Sequence, residues 1–306
     1  MIKLYCPASI GNFGVGFDVL GAAVESPGDA LWAHRISSGM EIEIVSGDVP
    51  AAPERNTVTL AAKYVMEELE RGGGETGGLR FRLEKGMPTG SGLGSSAAGA
   101  VGGAFAANLL YGGKLSPLQV LHAATRAEAD VSGAFFADNT APCLFGGMTL
   151  VLSNKPLCVV PLRAPQNMRV VLATPKVKVL TADARAVLPK SLPFGDAVSN
   201  LAKVAGVVAA FAGDDYSLFK KCDLLEDRLA EPYRTALIPG FAAAKAAAKA
   251  AGADGCGISG SGPTVFALTD DPTVAQAVAQ ALSAAFDACP TRITRIAEKG
   301  VRVVDG

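Results

Sequence analysis

The stretch Pro88-Thr89-Gly90-Ser91-Gly92-Leu93-Gly94-Ser95-Ser96-Ala97-Ala98 constrains this chain more than any other. Before it, Leu79-Arg80-Phe81-Arg82-Leu83-Glu84 reads as a strand; after it an alanine-rich run to Leu110 reads as a helix. A glycine-rich strand-to-helix turn suits phosphate. Glycines at 90, 92 and 94 let the backbone take positive φ and approach a ligand closely. The helix's first turn points unpaired N–H groups and the positive end of its dipole at the same spot. Ser95 and Ser96 add hydroxyls where a metal-bound triphosphate needs oxygen ligands.

Competing readings of this loop can be tested residue by residue. A Walker A loop needs Gly-Lys-Ser/Thr after its spacer, and Gly94 is followed by Ser95 with no lysine. A dinucleotide fingerprint needs G-x-G-x-x-G, and Gly90-Ser91-Gly92-Leu93-Gly94 brings its third glycine one place early. No G-x-S-x-G elbow occurs. A tight turn that merely packs a helix on a sheet is the remaining alternative.

At 306 residues the chain reads as two domains. Charged residues make up 19% and no apolar run reads as a membrane span, so a soluble protein without a membrane partner is expected. A net charge of -1 gives no basic footprint for nucleic acid. The cysteines at 6, 143, 158, 222, 256 and 289 form no C-x-x-C pair, which argues for a reducing, cytoplasmic setting and against a zinc site. Met1-Ile2-Lys3-Leu4-Tyr5 runs straight into a strand pattern, so no signal or transit peptide is expected. The two histidines, His34 in an apparent loop and His122 within an apparent helix, read as structural or solvated.

Elsewhere the pattern predicts a strand from Ile2 that ends at Pro7, then a second glycine-rich loop from Ser9 to Asp18 carrying Asn12 and Asp18. Those two either hydrogen-bond a polar ligand or cap local turns. Glu25 to Arg35 reads as a loop. Ser116-Pro117-Leu118-Gln119 is a capping box that opens a helix to about Asp130. Glu128 near its end opposes the helix dipole, which either a bound magnesium or exposure to water offsets. A polar break at Ser153-Asn154-Lys155-Pro156 predicts a boundary between domains 1–155 and 156–306. The second half predicts a short helix bearing Arg185, helices at Ala197 to Phe211 and Leu218 to Leu229, and a third glycine-rich stretch from Gly255 to Pro263. Strands separated by helices in both halves indicate two sheets, each covered by helices.

Three glycine-rich stretches in this order, from Pro7-Ala8-Ser9-Ile10-Gly11-Asn12, through Pro88 to Ala98, to Gly257-Ile258-Ser259-Gly260-Ser261-Gly262-Pro263-Thr264, resemble the motifs of the GHMP small-molecule kinases. Val15-Gly16-Phe17-Asp18-Val19-Leu20-Gly21, Asp138-Asn139-Thr140-Ala141-Pro142-Cys143, Thr181 to Pro189 and Glu231-Pro232-Tyr233-Arg234 resemble the homoserine kinase branch of that superfamily. The resemblance implies an α+β fold, with an N-terminal domain like domain 2 of ribosomal protein S5 and a C-terminal ferredoxin-like domain. It implies ATP, Mg²⁺, phosphorylation of the L-homoserine hydroxyl on the route to threonine, and a homodimer. It assigns Pro88 to Ala98 to ATP, Ser96 and Glu128 to the metal, and Asn12, Asp18, Asp138, Asn139, Arg185, Arg234 and Gly260 to the amino acid. Asn12 is expected to orient the attacking hydroxyl. Mevalonate-type relatives carry an aspartate base where Asn139 stands, so the resemblance implies that the hydroxyl proton passes to the phosphate rather than to a side chain. One departure is Phe136, where many homoserine kinases have a histidine.

The side-chain chemistry points the same way without the resemblance. Homoserine is a zwitterion, so Asp18 or Asp138 can meet its ammonium and the guanidinium forks of Arg185 and Arg234 its carboxylate. For either arginine alone, a surface ion pair is the plainer reading.

Overall fold

The computed structural model describes residues 1–305. The first half builds β1 (Ile2–Gly11), β2 (Leu20–Ile36), β3 (Met40–Ser46), α1 (Thr57–Arg71), β4 (Gly78–Glu84), α2 (Ser95–Leu110), α3 (Pro117–Ser132), α4 (Thr140–Phe145), β5 (Met148–Asn154) and β6 (Leu157–Leu162). The second half continues with β7 (Arg169–Ala173), α5 (Thr181–Ala186), α6 (Phe194–Ala212), α7 (Ser217–Cys222), α8 (Glu231–Arg234), α9 (Phe241–Ala250), β8 (Gly255–Ile258), β9 (Val265–Thr269), α10 (Pro272–Ala285), β10 (Thr291–Thr294) and β11 (Arg302–Val303). Local chemistry accounts for several boundaries. Asn56 caps α1 by accepting from the Val58 N–H at 3.0 Å, and Ser116 and Gln119 close the expected capping box on α3.

Strands β11, β1, β2, β4 and β3 lie in that order, and β5 and β6 extend the sheet from the first residues of β2. The buried faces of α1 and α2, among them Val58, Val65, Val101 and Ala104, share one core with Leu4, Leu31 and Phe81 of the sheet. The second sheet has the antiparallel order β10-β7-β9-β8. With helices between β7 and β8, a β8–β9 hairpin, then α10 and β10, this is the β-α-β-β-α-β ferredoxin-like arrangement. Two packed sheets with segregated helices give the expected α+β class.

Several sequence expectations fail for identifiable reasons. Strand β1 does not end at Pro7; it runs to Gly11, because the pairing with β2 shifts between Pro7 and Ser9, where a missing N–H interrupts no regular ladder. The stretch from Glu25 to Arg35 is strand, not loop. It is paired by β1 on one side and β4 on the other, and Leu31 and Ala33 are buried between the half-exposed Trp32 and His34. Thus His34 lies on a strand. The polar break at 153–156 is the turn of the β5–β6 hairpin, so residues 157–162 remain in the first sheet and β11 later returns to it; sheet membership changes after Leu162 rather than at residue 155. The helix expected over 218–229 stops at Cys222, where Asp223 turns to φ 42, and the Asp227 carboxylate then accepts from the N–H groups of Leu229, Ala230 and Glu231. Finally, α6 is long and apolar enough to cross a membrane by length and composition, contrary to the expectation that no run is. In this fold its Val207, Ala210 and Phe211 are buried in the core, and Asn200 donates to the Val15 carbonyl at 2.8 Å.

Candidate active site

The three glycine-rich stretches, far apart in the chain, meet in one place. The Ser9 N–H donates to the Leu93 carbonyl at 3.1 Å, Gly260 N–H to the Gly11 carbonyl at 3.0 Å, and Thr264 N–H to the Ser91 carbonyl at 3.0 Å. Ser259 Oγ donates to the Gly92 carbonyl at 2.7 Å. Packing this close leaves no room for side chains: a Cβ on Gly92 would meet the carbonyl oxygens of Ser259 and Gly262, and one on Gly94 would meet Ser9 Oγ. Gly90, Gly92 and Gly94 adopt φ of 69, 79 and 65, the left-handed region in which glycine is unstrained. Gly94 leads directly into α2, whose first N–H groups face the loop.

Of the two hydroxyls expected to serve a metal, the structure leaves only Ser96 open to solvent. Ser95 Oγ is buried because α2 turns Ser95, Ala97 and Ala98 toward the core, and among the described residues neither it nor the buried Ser91 Oγ has a hydrogen-bond partner. Ser96 Oγ donates to Glu128 Oε1 on the last turns of α3. Burial raises the Glu128 carboxyl above its ordinary range, opposed by that hydrogen bond and by the nearby charge of Lys85. One hydroxyl and one carboxylate are hard oxygen donors that fit Mg²⁺, which is commonly held by one or two carboxylates together with substrate phosphates. Ser96 and Glu128 would therefore hold it.

The polar residues expected around an amino acid converge on the same cleft, a cavity of about 180 Å³ lined by Asn12, Asp18, Asp138, Asn139, Arg185 and Arg234 as well as by the phosphate loop and Glu128. Arg185 forks onto Asp18, with Nη2 to Oδ1 at 2.9 Å and Nη1 to Oδ2 at 3.1 Å. Arg234, only 4% exposed, donates from Nε to the Ala184 carbonyl at 3.0 Å and from Nη1 to the Gly260 carbonyl at 2.7 Å. Burial, then the neighbouring charge of Arg185, lowers its pKa. Among the described residues no carboxylate pairs with it. Both guanidinium groups stand over the ring of Phe17, at 5.3 and 5.0 Å, and Arg185 also lies 4.5 Å from the centroid of Phe136.

Asp138 is buried beside them. Burial, then the charge of Asp18, pushes its carboxyl up to about 7, although the Asn12 N–H donates to it at 3.2 Å. Asn139 accepts from Ser9 Oγ at 2.9 Å and donates to Asp138 at 3.4 Å. The Asn12 carboxamide is engaged at both ends: Oδ1 accepts from the Asp18 N–H at 2.9 Å, and Nδ2 donates to the Gly260 carbonyl at 3.0 Å. Asn12 thus ties the first and third glycine stretches together, with one amide hydrogen left over.

Sequence reasoning missed Ser9, Phe17 as an aromatic platform, and the buried pair Lys85 and Asp29. Ser9 and Phe17 lie inside the quoted motifs, but their roles depend on partners distant in the chain. A second and larger cavity, about 510 Å³, adjoins the phosphate loop and carries Lys176, Lys178 and Arg292. Among the described residues no carboxylate or carboxamide lines it; those groups lie in the smaller cleft.

Comparison with known proteins gives the same arrangement a family. Residues 56–147 match the GHMP kinases N terminal domain and residues 207–288 the GHMP kinases C terminal domain. A homoserine kinase from Cytophaga hutchinsonii superposes with a TM-score of 0.92 at 40% identity, covering 99% of this chain and 97% of that one. Mevalonate kinase of L. major in complex with R-mevalonate shares the fold at 16% identity and a TM-score of 0.71, covering 96% of each chain. Galactokinase of Lactococcus lactis complexed with galactose does so at 15% and 0.69, covering 99% of this chain and 95% of that one. Both family domains occur in order, and the likeness at 40% identity spans nearly the whole length, so this chain belongs to the GHMP kinases.

Proposed function

We propose that the protein transfers the γ-phosphoryl group of ATP to the side-chain hydroxyl of L-homoserine. The observation that carries this reading is Arg234, a buried guanidinium bonded, among the described residues, only to backbone carbonyls, in the same cleft as Asp138 and the Ser96–Glu128 pair. A buried cation without a counter-ion is costly, and a ligand carboxylate beside Arg185 and Arg234 offsets that cost. Asp138 and Asp18 then face the ammonium. The homoserine kinase of Cytophaga hutchinsonii, similar over its full length, supports the same substrate.

The amides of the loop from Thr89 to Gly94 and of the first turn of α2 bind the terminal phosphates, and Ser96 with Glu128 would hold Mg²⁺ there. Bound there, Mg²⁺ would supply charge neutralisation to the transferred group. Because phosphoryl transfer has a loose transition state, positioning and electrostatics carry most of the catalysis. The remaining Asn12 amide hydrogen orients the substrate hydroxyl; Asn139, held by Ser9, supplies no base, so the hydroxyl proton passes to the phosphate. The surroundings proposed for this chemistry are the cytoplasm and a homodimer, which light scattering at twice the monomer mass would support.

The test is ADP release with Mg²⁺ across L-homoserine, L-serine, L-threonine, mevalonate and galactose. Turnover of homoserine well above the others is expected. Turnover of mevalonate or galactose but not homoserine overturns the substrate. No turnover with any of them favours a binding protein.

A further inference from the structure

Strand β2 carries Asp29, Leu31 and Ala33 on one face, and all three are buried. Alternation places an apolar side chain at position 29, yet a carboxylate that is 0% exposed occupies it. Its partner is Lys85, the residue immediately after β4, whose side chain is 3% exposed. The Lys85 ammonium donates to Asp29 Oδ2 and also to the main-chain carbonyl of Ser95 at 2.6 Å. Asp29 Oδ1 accepts from the Gly86 N–H at 2.9 Å. One ion pair thereby grips the phosphate loop at both ends: Asp29 holds its entry at Gly86, and Lys85 ties that entry to its exit at Ser95, one residue before Ser96.

A buried ion pair is a poor route to stability, since the cost of desolvating both charges often exceeds their attraction, and well-packed apolar replacements are often neutral or stabilising. The pair makes sense where a backbone must be held in one place. Loop amides that bind phosphate need their geometry set before the ligand arrives, because misplacement by an ångström costs affinity and rate. We infer that Lys85 and Asp29 are positioning residues for nucleotide: they clamp the loop from Gly86 to Ser95 so that its amides and the Ser96 hydroxyl are preset for polyphosphate. This rests on the reading of Pro88 to Ala98 as the phosphate loop.

The test compares wild type with the Lys85→Met/Asp29→Leu double variant and with Asp29→Asn, using calorimetric titration of MgADP and, separately, of L-homoserine, alongside thermal melts. In the double variant the Ser95 carbonyl and the Gly86 N–H lose their partners, so the melting temperature should fall by several degrees with a cooperative melt kept, and the homoserine Kd should stay within about twofold, while the MgADP Kd rises about tenfold or more. Asp29→Asn keeps an acceptor for Gly86 but removes the counter-charge, and should weaken MgADP by about threefold or more with homoserine unchanged. A folded double variant that binds MgADP like wild type overturns the inference, as does parallel loss of both ligands. Should the double variant fail to fold, Asp29→Asn decides alone, and wild-type MgADP affinity in it overturns the inference. Failure of the wild-type protein to bind MgADP overturns the phosphate-loop reading itself.

Discussion

Arg185 and Asp18 satisfy one another across the cleft through two parallel hydrogen bonds of 2.9 and 3.1 Å. The proposed function assigns these groups to opposite ends of a zwitterion, so the ligand exchanges one internal pair for two pairings of its own. Arg185 is 37% exposed and Asp18 18%, which places the pair near the low-value, solvent-screened limit for stability.

Arg185→Leu is therefore expected to raise the homoserine KM by about tenfold or more with the ATP KM unchanged, while the melting temperature moves by no more than about 3 °C. Steady-state kinetics and a thermal melt check this. A melt shifted strongly with kinetics intact would make the pair a structural one.

Arg234→Leu should differ in kind. It removes the donor for two buried carbonyls, those of Ala184 and Gly260, so a stability loss of about 1–3 kcal/mol is expected together with a raised homoserine KM. Urea melts and kinetics with each substrate varied in turn separate the two effects. An unchanged homoserine KM removes Arg234 from the site.

Asp138 supplies a pH dependence. Its carboxyl titrates near 7 in the fold, above its ordinary range, so between the two values the native state binds the extra proton and the buried charge grows more costly as pH rises. Asp138→Asn should be more stable than wild type near pH 8, by on the order of 2–4 kcal/mol, and similar near pH 4. The wild-type kcat/KM for homoserine should rise through about pH 7 as the carboxylate forms to meet the ammonium. The variant should lose that rise, and a variant that keeps it assigns the titration to another group.

Gly92 and Gly73 share positive φ, 79 and 78, but differ in surroundings. A Cβ on Gly73 meets nothing within 4 Å, whereas one on Gly92 meets two carbonyl oxygens of the third glycine stretch. Gly73→Ala should cost about 1 kcal/mol from backbone strain alone, and Gly92→Ala about 2–4 kcal/mol with loss of nucleotide binding. Equal costs in urea melts would show that the loops can separate freely.

Most of the phosphate loop is legible in the amino-acid order, because its information is local: strand, glycines, hydroxyls and helix follow within one short segment. The resemblance also names the residues that gather in the cleft. Strand limits are less legible. Pro7 and the Glu25 to Arg35 stretch contain turn-forming residues that tertiary pairing overrides, and β2 becomes a long strand because partners on both flanks take up its backbone groups. The sequence leaves ligand and structural roles open for Asn12 and Arg185, and the structure adds that each is bonded to residues of its own chain, through partners the sequence does not name.

By itself the sequence determined the glycine-lined turn between strand and helix, the order of three loop motifs, and the supply of two arginines and several carboxyl groups; these follow from backbone freedom and side-chain chemistry that each segment carries alone. Only the tertiary structure decided that the three loops interlock, that the Ser96 hydroxyl rather than the Ser95 hydroxyl is open to solvent, that Arg185 is paired with a carboxylate and Arg234, among the described residues, is not, and that a buried Lys85–Asp29 pair spans the loop's mouth. Those outcomes depend on burial and on contacts between residues far apart in the chain, and neither is encoded in any one stretch of it.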